Sequence, residues 1–118
     1  MAKIAVVEDN AAVRQELCSF IAQYAQESGQ LLEVTPFADG SQIVEPYRPG
    51  FDIIFLDIEM PTLGGMPTAE RIRLLDPDVV LIFVTNMAQY AIRGYEVDAL
   101  DFVLKPVSYY QFLSLIHI

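Results

Sequence analysis

The chain has 118 residues, one cysteine and a net charge of -9 with a pI near 4.3. That length suits one domain with a single core, and a 53% apolar content with a mean hydropathy of +0.35 excludes a disordered chain. Seven scattered Lys and Arg residues do not make a surface for nucleic-acid phosphates, and charges interrupt every apolar run before it could span a membrane.

Strand-like and helix-like segments alternate from the first residues onward. Residues 3–7, KIAVV, form a short β-branched run, and the charges that follow at once do not read as a signal peptide. From Asn10, a plausible N-cap, residues Val13, Leu17, Phe20, Ile21 and Tyr24 recur at helical spacing until Gly29. Residues 31–37 read as a second strand, with Pro36 favouring a sheet edge. A short helix follows and ends at Pro46. Residues 51–56, FDIIFL, form the third strand. After the loop MPTLGG, Pro67 sits in the first turn of a helix that ends before Pro77. Residues 79–84 are the fourth strand, NMAQYAIRGY a short helix, residues 99–104 the fifth strand, and SYYQFLSLIHI opens a last helix. Strands alternating with helices predict a parallel sheet covered on both faces, and the continuously apolar central strands agree. The expected fold class is α/β, a doubly wound (βα)5 sheet.

In open α/β sheets the chemistry collects beyond the carboxyl ends of the strands. The first strand delivers Glu8 and Asp9 there, the third Asp57, the fourth Thr85 and the fifth Lys105 followed by Pro106. The second strand ends on Phe37 and offers nothing reactive. Like charges so gathered repel unless a cation sits among them, and hard oxygen ligands with room for water suit Mg²⁺. A carboxylate beside Mg²⁺ and a lysine can act as a nucleophile toward a phosphoryl group.

Four motifs carry a family resemblance: VEDN (7–10), DIEMPTLGG (57–65), FVTN (83–86) and FVLKP (102–106). Together they resemble the receiver domain of bacterial two-component response regulators, over residues 3 to 110. The resemblance implies a flavodoxin-like sheet of order 2-1-3-4-5. It implies Asp57 as the phosphoacceptor for a sensor histidine kinase. Asp9 would bind Mg²⁺ directly, Glu8 through water, and Glu59 through its backbone carbonyl. Lys105 would pair with the phosphoryl group, with a cis peptide bond before Pro106. Thr85 would move toward the phosphate and Phe102, the switch aromatic, would turn inward behind it. The stretch TNMAQYAIRGYEVDALDFVLKP further resembles the LytR/AgrA (LytTR) group, whose receivers precede a DNA-binding output domain. These residues, 1–118, are expected to be the receiver alone, located in the cytoplasm. Direct nucleic-acid binding and membrane association are not expected of them.

Simpler roles exist for each position. Asp57 can cap a loop, Glu8 and Asp9 can favour a helix N-terminus, Thr85 can be an N-cap, Lys105 can be a solvated strand end, and Phe102 can be core. The company of Glu8, Asp9, Thr85 and Lys105 weighs against the first. Cys18, Met60 and Met66 are read as packing, and His117 as inert. Gly64 stands where receivers often carry Ser, Asn or Asp, so a mobile loop is expected, and Phe102 lacks the hydroxyl of a switch tyrosine. Residues 107–118 contain no charged side chain of Lys, Arg, Asp or Glu. The end is therefore read as truncated or non-native from 114 to 118, the last helix as short with exposed apolar residues, and any homodimer as weak or altered. A Mg²⁺-dependent phosphohydrolase is a rival, but Glu59 replaces the second Asp of its motif. A binding-only pseudo-receiver is another, although no site residue is missing. A nucleotide or flavin binder would need a Gly-rich loop after the first strand, where VEDNAAV stands.

Overall fold

The computed structural model describes residues 1–86, 97–99 and 101–116. Five strands, β1 (Ala2–Val7), β2 (Leu32–Phe37), β3 (Ile53–Leu56), β4 (Val80–Thr85) and β5 (Asp101–Leu104), form one sheet of order β2-β1-β3-β4-β5. Every pairing is parallel. β2 pairs with β1 along the sheet's edge, the position its proline favours. Beyond Asn86 the expected helix over NMAQYAIRGY, with its Gly94, lies outside the described residues, and so does His117.

Side chains alternate along each strand and divide the core into two layers. Ala5, Val7, Ile54, Leu56, Leu81 and Phe83 face helices α2 (Gly40–Val44) and α3 (Gly65–Leu75), meeting Ile43, Met66, Ala69 and Ile72. Ile4, Val6, Ile53, Phe55, Ile82 and Val84 face α1 (Ala11–Ser28) and the C-terminal helix (Tyr109–Leu115). Helix α1 begins as expected, with the Asn10 side chain accepting from Val13 N–H, and it stops at Gly29, whose φ of 71° is left-handed. Leu17 and Ile21 are its buried stripe, and Cys18 packs beside them as a structural residue.

The C-terminal helix corrects one expectation. It is short, at seven residues, but its apolar side chains are not left for association. Phe112, Leu115 and Ile116 are buried, and Phe112 lies 5.6 Å from Phe55 and 5.8 Å from Phe20 between ring centroids. The missing charged face is supplied by neutral polar groups. Ser108 and Gln111 form a reciprocal capping box, and Tyr109 donates to Glu27 across to α1. Tyr110 alone among this helix's large hydrophobic side chains stands mostly in solvent.

Candidate functional site: a carboxylate cluster at the strand ends

Parallel strands deliver their C-terminal residues to one rim of the sheet. There β1 ends before Glu8 and Asp9, β3 before Asp57, β4 on Thr85 and β5 before Lys105. With Asn10, Glu59 and Asn86 these residues line a cavity of about 180 Å³. Glu8, Asp57 and Thr85 are buried, while Asp9 and Glu59 are exposed.

Asp57 ends its strand inside a network. Its Oδ1 accepts from Ile58 N–H at 2.8 Å, and its Oδ2 accepts from Lys105 Nζ at 3.2 Å. The same ammonium lies 2.6 Å from Glu8 Oε1. Glu8 Oε2 accepts from Asn10 N–H at 3.1 Å. The contact to Oε1 is an ion pair outside hydrogen-bond angles, so that buried oxygen has no hydrogen-bond donor among the described residues. Carboxylate oxygens of Glu8, Asp9 and Asp57 lie within 4.8 Å of one another.

Burial raises Glu8 to a pKa of about 7, with the Asp57 charge adding to the effect and Lys105 and the Asn10 N–H opposing it. Burial also works against the charge of Lys105, but Glu8 and Asp57 outweigh it and hold the ammonium above its ordinary value. One partly buried cation thus faces two buried carboxylates, with a third beside them at the surface. Three carboxylates gathered around a single ammonium leave an excess of negative charge, which fits a hard divalent cation with its waters.

All the expected residues reach this rim except Phe102, which lies two strand positions inward of the Thr85–Leu104 level. It is half-buried, pairs in register with Phe83, and its ring centroid lies 6.0 Å from that of Phe83. The bond between Lys105 and Pro106 is cis, as expected, and so is that between Glu45 and Pro46. The side chain of Glu59 is outside the three-carboxylate group. Met60 and Met66 pack into the core as expected.

The loop after Asp57 differs from expectation, because it is tied down rather than loose. Gly65 N–H donates to Ile58 O at 2.8 Å, Thr68 Oγ1 donates to Gly64 O at 2.7 Å, and Asp39 accepts from Thr62 and Leu63 N–H, both at 3.0 Å. Gly64 holds an ordinary extended conformation, φ -68° and ψ 170°. Gly65 is required by space, since a Cβ there would stand 2.0 Å from Asp57 O. Two residues that the sequence did not mark, Arg14 and Asp39, support the site, together with Asn86, the last residue of the FVTN motif. Arg14 donates from Nη1 to Glu8 O at 2.7 Å and to Asp9 O at 3.4 Å, Asn86 lines the cavity, and Asp39 holds the loop. Asp39 alone carried a local signal, being an Asp directly before a short helix.

The model of the response regulator receiver domain family matches residues 4–117. The chain is 32% identical over 110 residues to the sensory transduction protein LytT of Oceanobacillus iheyensis, covering 89% of this chain and 42% of that protein. It is 33% identical over 110 residues to the transcriptional regulatory protein BtsR of Escherichia coli, covering 91% and 43%. The chain therefore spans about two fifths of the curated relatives it matches. Among solved structures, the non-phosphorylated HemR receiver domain of Leptospira biflexa superposes with a TM-score of 0.84 at 29% identity, over 97% of this chain and 90% of that one. The response regulator TrrA of Thermotoga maritima, solved in complex with Mg²⁺ and BeF, gives a TM-score of 0.78 at 26% identity, over 98% and 96%. Sheet order, strand-end cluster and family match agree: the chain belongs to the response regulator receiver domain family, the phosphorylation-dependent signalling modules of two-component systems.

Proposed function

We propose that this chain accepts a phosphoryl group from a sensor histidine kinase onto Asp57 and relays that event to an output domain. The observation that supports it most is the Lys105 ammonium, 3.2 Å from Asp57 Oδ2 and 2.6 Å from Glu8 Oε1, within a cavity open to solvent. An Asp57 carboxylate oxygen attacks the phosphorus of a phosphohistidine. The P–N bond breaks, its electron pair leaves with the imidazole, and an acyl phosphate stands on Asp57. Lys105 shifts its charge to the phosphoryl oxygens and Thr85 donates its hydroxyl to one of them. Asp9 and Asp57 would hold Mg²⁺ with the backbone carbonyl of Glu59, and Glu8 would reach it through water. When bound, the ion neutralises the gathered carboxylates and the charge of the phosphoryl oxygens. Thr85, drawn toward the phosphate, opens space that Phe102 fills, and the surface around β5 changes with it.

The likeness to LytT and BtsR supports a transcriptional output, carried by a DNA-binding domain of the LytTR type in a longer regulator. The chain's own acidity argues against direct contact with nucleic acid. The partners in this reading are the kinase and the output domain. A single half-buried cysteine, and no described helix long and apolar enough to cross a membrane, support a cytoplasmic setting.

The test is intact-protein mass after incubation with MgCl₂ and phosphoramidate, a donor with a P–N bond. A gain of one phosphoryl group that disappears with EDTA and in Asp57→Asn is the expected result. No gain, or an equal gain in Asp57→Asn, would overturn the assignment.

A further inference from the structure

The loop that follows Asp57 is held by a side chain belonging to neither of the elements it connects. Asp39, between β2 and α2, is buried at 6% exposure. Its Oδ2 accepts from Ser41 N–H at 2.9 Å, which caps α2. The same oxygen accepts from Leu63 N–H at 3.0 Å, and Oδ1 accepts from Thr62 N–H at 3.0 Å. Those two bonds cross 23 and 24 residues of chain and contribute nothing to capping. Gly40 permits the approach, since a Cβ there would meet Thr68 Oγ1 at 1.8 Å and Leu63 O at 2.6 Å.

We propose that Asp39 is a positioning residue for the divalent-ion site: by gripping Thr62 and Leu63 it fixes the loop carrying Glu59, whose carbonyl is assigned to the ion. The inference rests on the functional reading above. A carboxylate that accepts three backbone N–H groups is a rigid fixture, and its grip falls three and four residues beyond Glu59. Groups bonded to a metal's own ligands commonly matter tenfold or more in affinity, and Asp39 acts one step further out, through the backbone of the loop, so a smaller effect is expected of it.

Asp39→Ser and Asp39→Asn separate gripping from capping. Serine retains an N-cap oxygen for Ser41 but has no second oxygen for the loop. Asparagine keeps the size of Asp and exchanges one acceptor for a donor, which preserves the test if the serine variant does not fold. Three readouts are taken: MgCl₂ titration calorimetry, amide hydrogen exchange at Thr62 and Leu63 without metal, and thermal unfolding. The expected result is an Mg²⁺ dissociation constant raised several-fold in both variants, below the effect of removing a group bonded to a ligand itself. Faster exchange at the two amides, and phosphoryl uptake restored at saturating Mg²⁺, are expected with it. Mg²⁺ affinity equal to that of the unmutated chain in the folded variants, whatever their melting temperature, would overturn the inference and leave Asp39 a helix cap. Failure of the unmutated chain to bind Mg²⁺ would overturn the site reading and this inference together.

Discussion

Asp57 can end a buried strand because its charge is met on both oxygens, by the Ile58 N–H and by Lys105. Lys105 is the more exposed partner of Glu8, yet it is the one cation bonded to both buried carboxylates among the described residues. Truncating it leaves two like charges in a confined space. Lys105→Ala is expected to cost about 3 kcal/mol in urea unfolding at pH 8 without divalent ions, the low end for a broken buried pair. Added MgCl₂ is expected to recover part of that loss, because the ion replaces the missing positive charge. At Tyr47, whose hydroxyl donates to Asp76 Oδ2 at 2.6 Å, burial and then that bond hold the phenol above its ordinary pKa. Tyr47→Phe is expected to cost about 1 kcal/mol in the same assay without changing phosphoryl uptake.

At the scale of elements, the loop from β3 to α3 is clamped from two sides. Gly65 lets the first turn of α3 sit against Asp57 O, so Gly65→Ala must push the helix start away. The expected loss is about 2 kcal/mol of stability, typical of overpacking, with slower phosphoryl uptake measured by intact mass. Asp39 clamps the other side. Burial opposes its ionisation, but the N–H groups of Ser41, Thr62 and Leu63 together outweigh this and hold it below its ordinary value. A depressed carboxylate stabilises the fold above its unfolded pKa, about 3.9, and that contribution is lost as pH falls through the folded value. Acid titration of stability is therefore expected to be shallower below about pH 4 in Asp39→Asn than in the unmutated chain. These clamps were less legible in the sequence than the strand ends were. Glu8, Asp57 and Lys105 each follow an apolar run, and the alternation of strands and helices puts them on one rim. Asp39 and Arg14 act on backbone N–H and carbonyl groups, which carry no residue signature. The apolar C-terminal helix read as exposed because its partners, Phe20 and Phe55, lie far away along the chain.

Across the whole molecule, the two ends of the sheet are built differently. The C-terminal rim holds unbalanced charge in a cavity. The opposite end is locked by Arg73, which donates to the carbonyls of Asp76, Pro77, Val79, Val97 and Asp98. That clamp joins α3 to the beginning of β4 and to the residues leading into β5. Arg73→Ala is expected to lower stability by roughly 2 kcal/mol while phosphoryl uptake by the folded chain is unchanged. The change proposed to start at the rim is therefore expected at the strand ends and the surface around β5, where Phe102 is half-buried against Phe83. In the proposed switch, a charge placed on Asp57 is read out at Thr85 and Phe102. The most direct test is the amide NMR spectrum of the chain before and after adding Mg²⁺ and beryllofluoride, a phosphoryl mimic, with Asp57→Asn alongside. Large shifts at Thr85, Phe102 and Lys105 are expected in the unmutated chain and none in the variant. Shifts confined to the neighbours of Asp57, or equal shifts in Asp57→Asn, would contradict it.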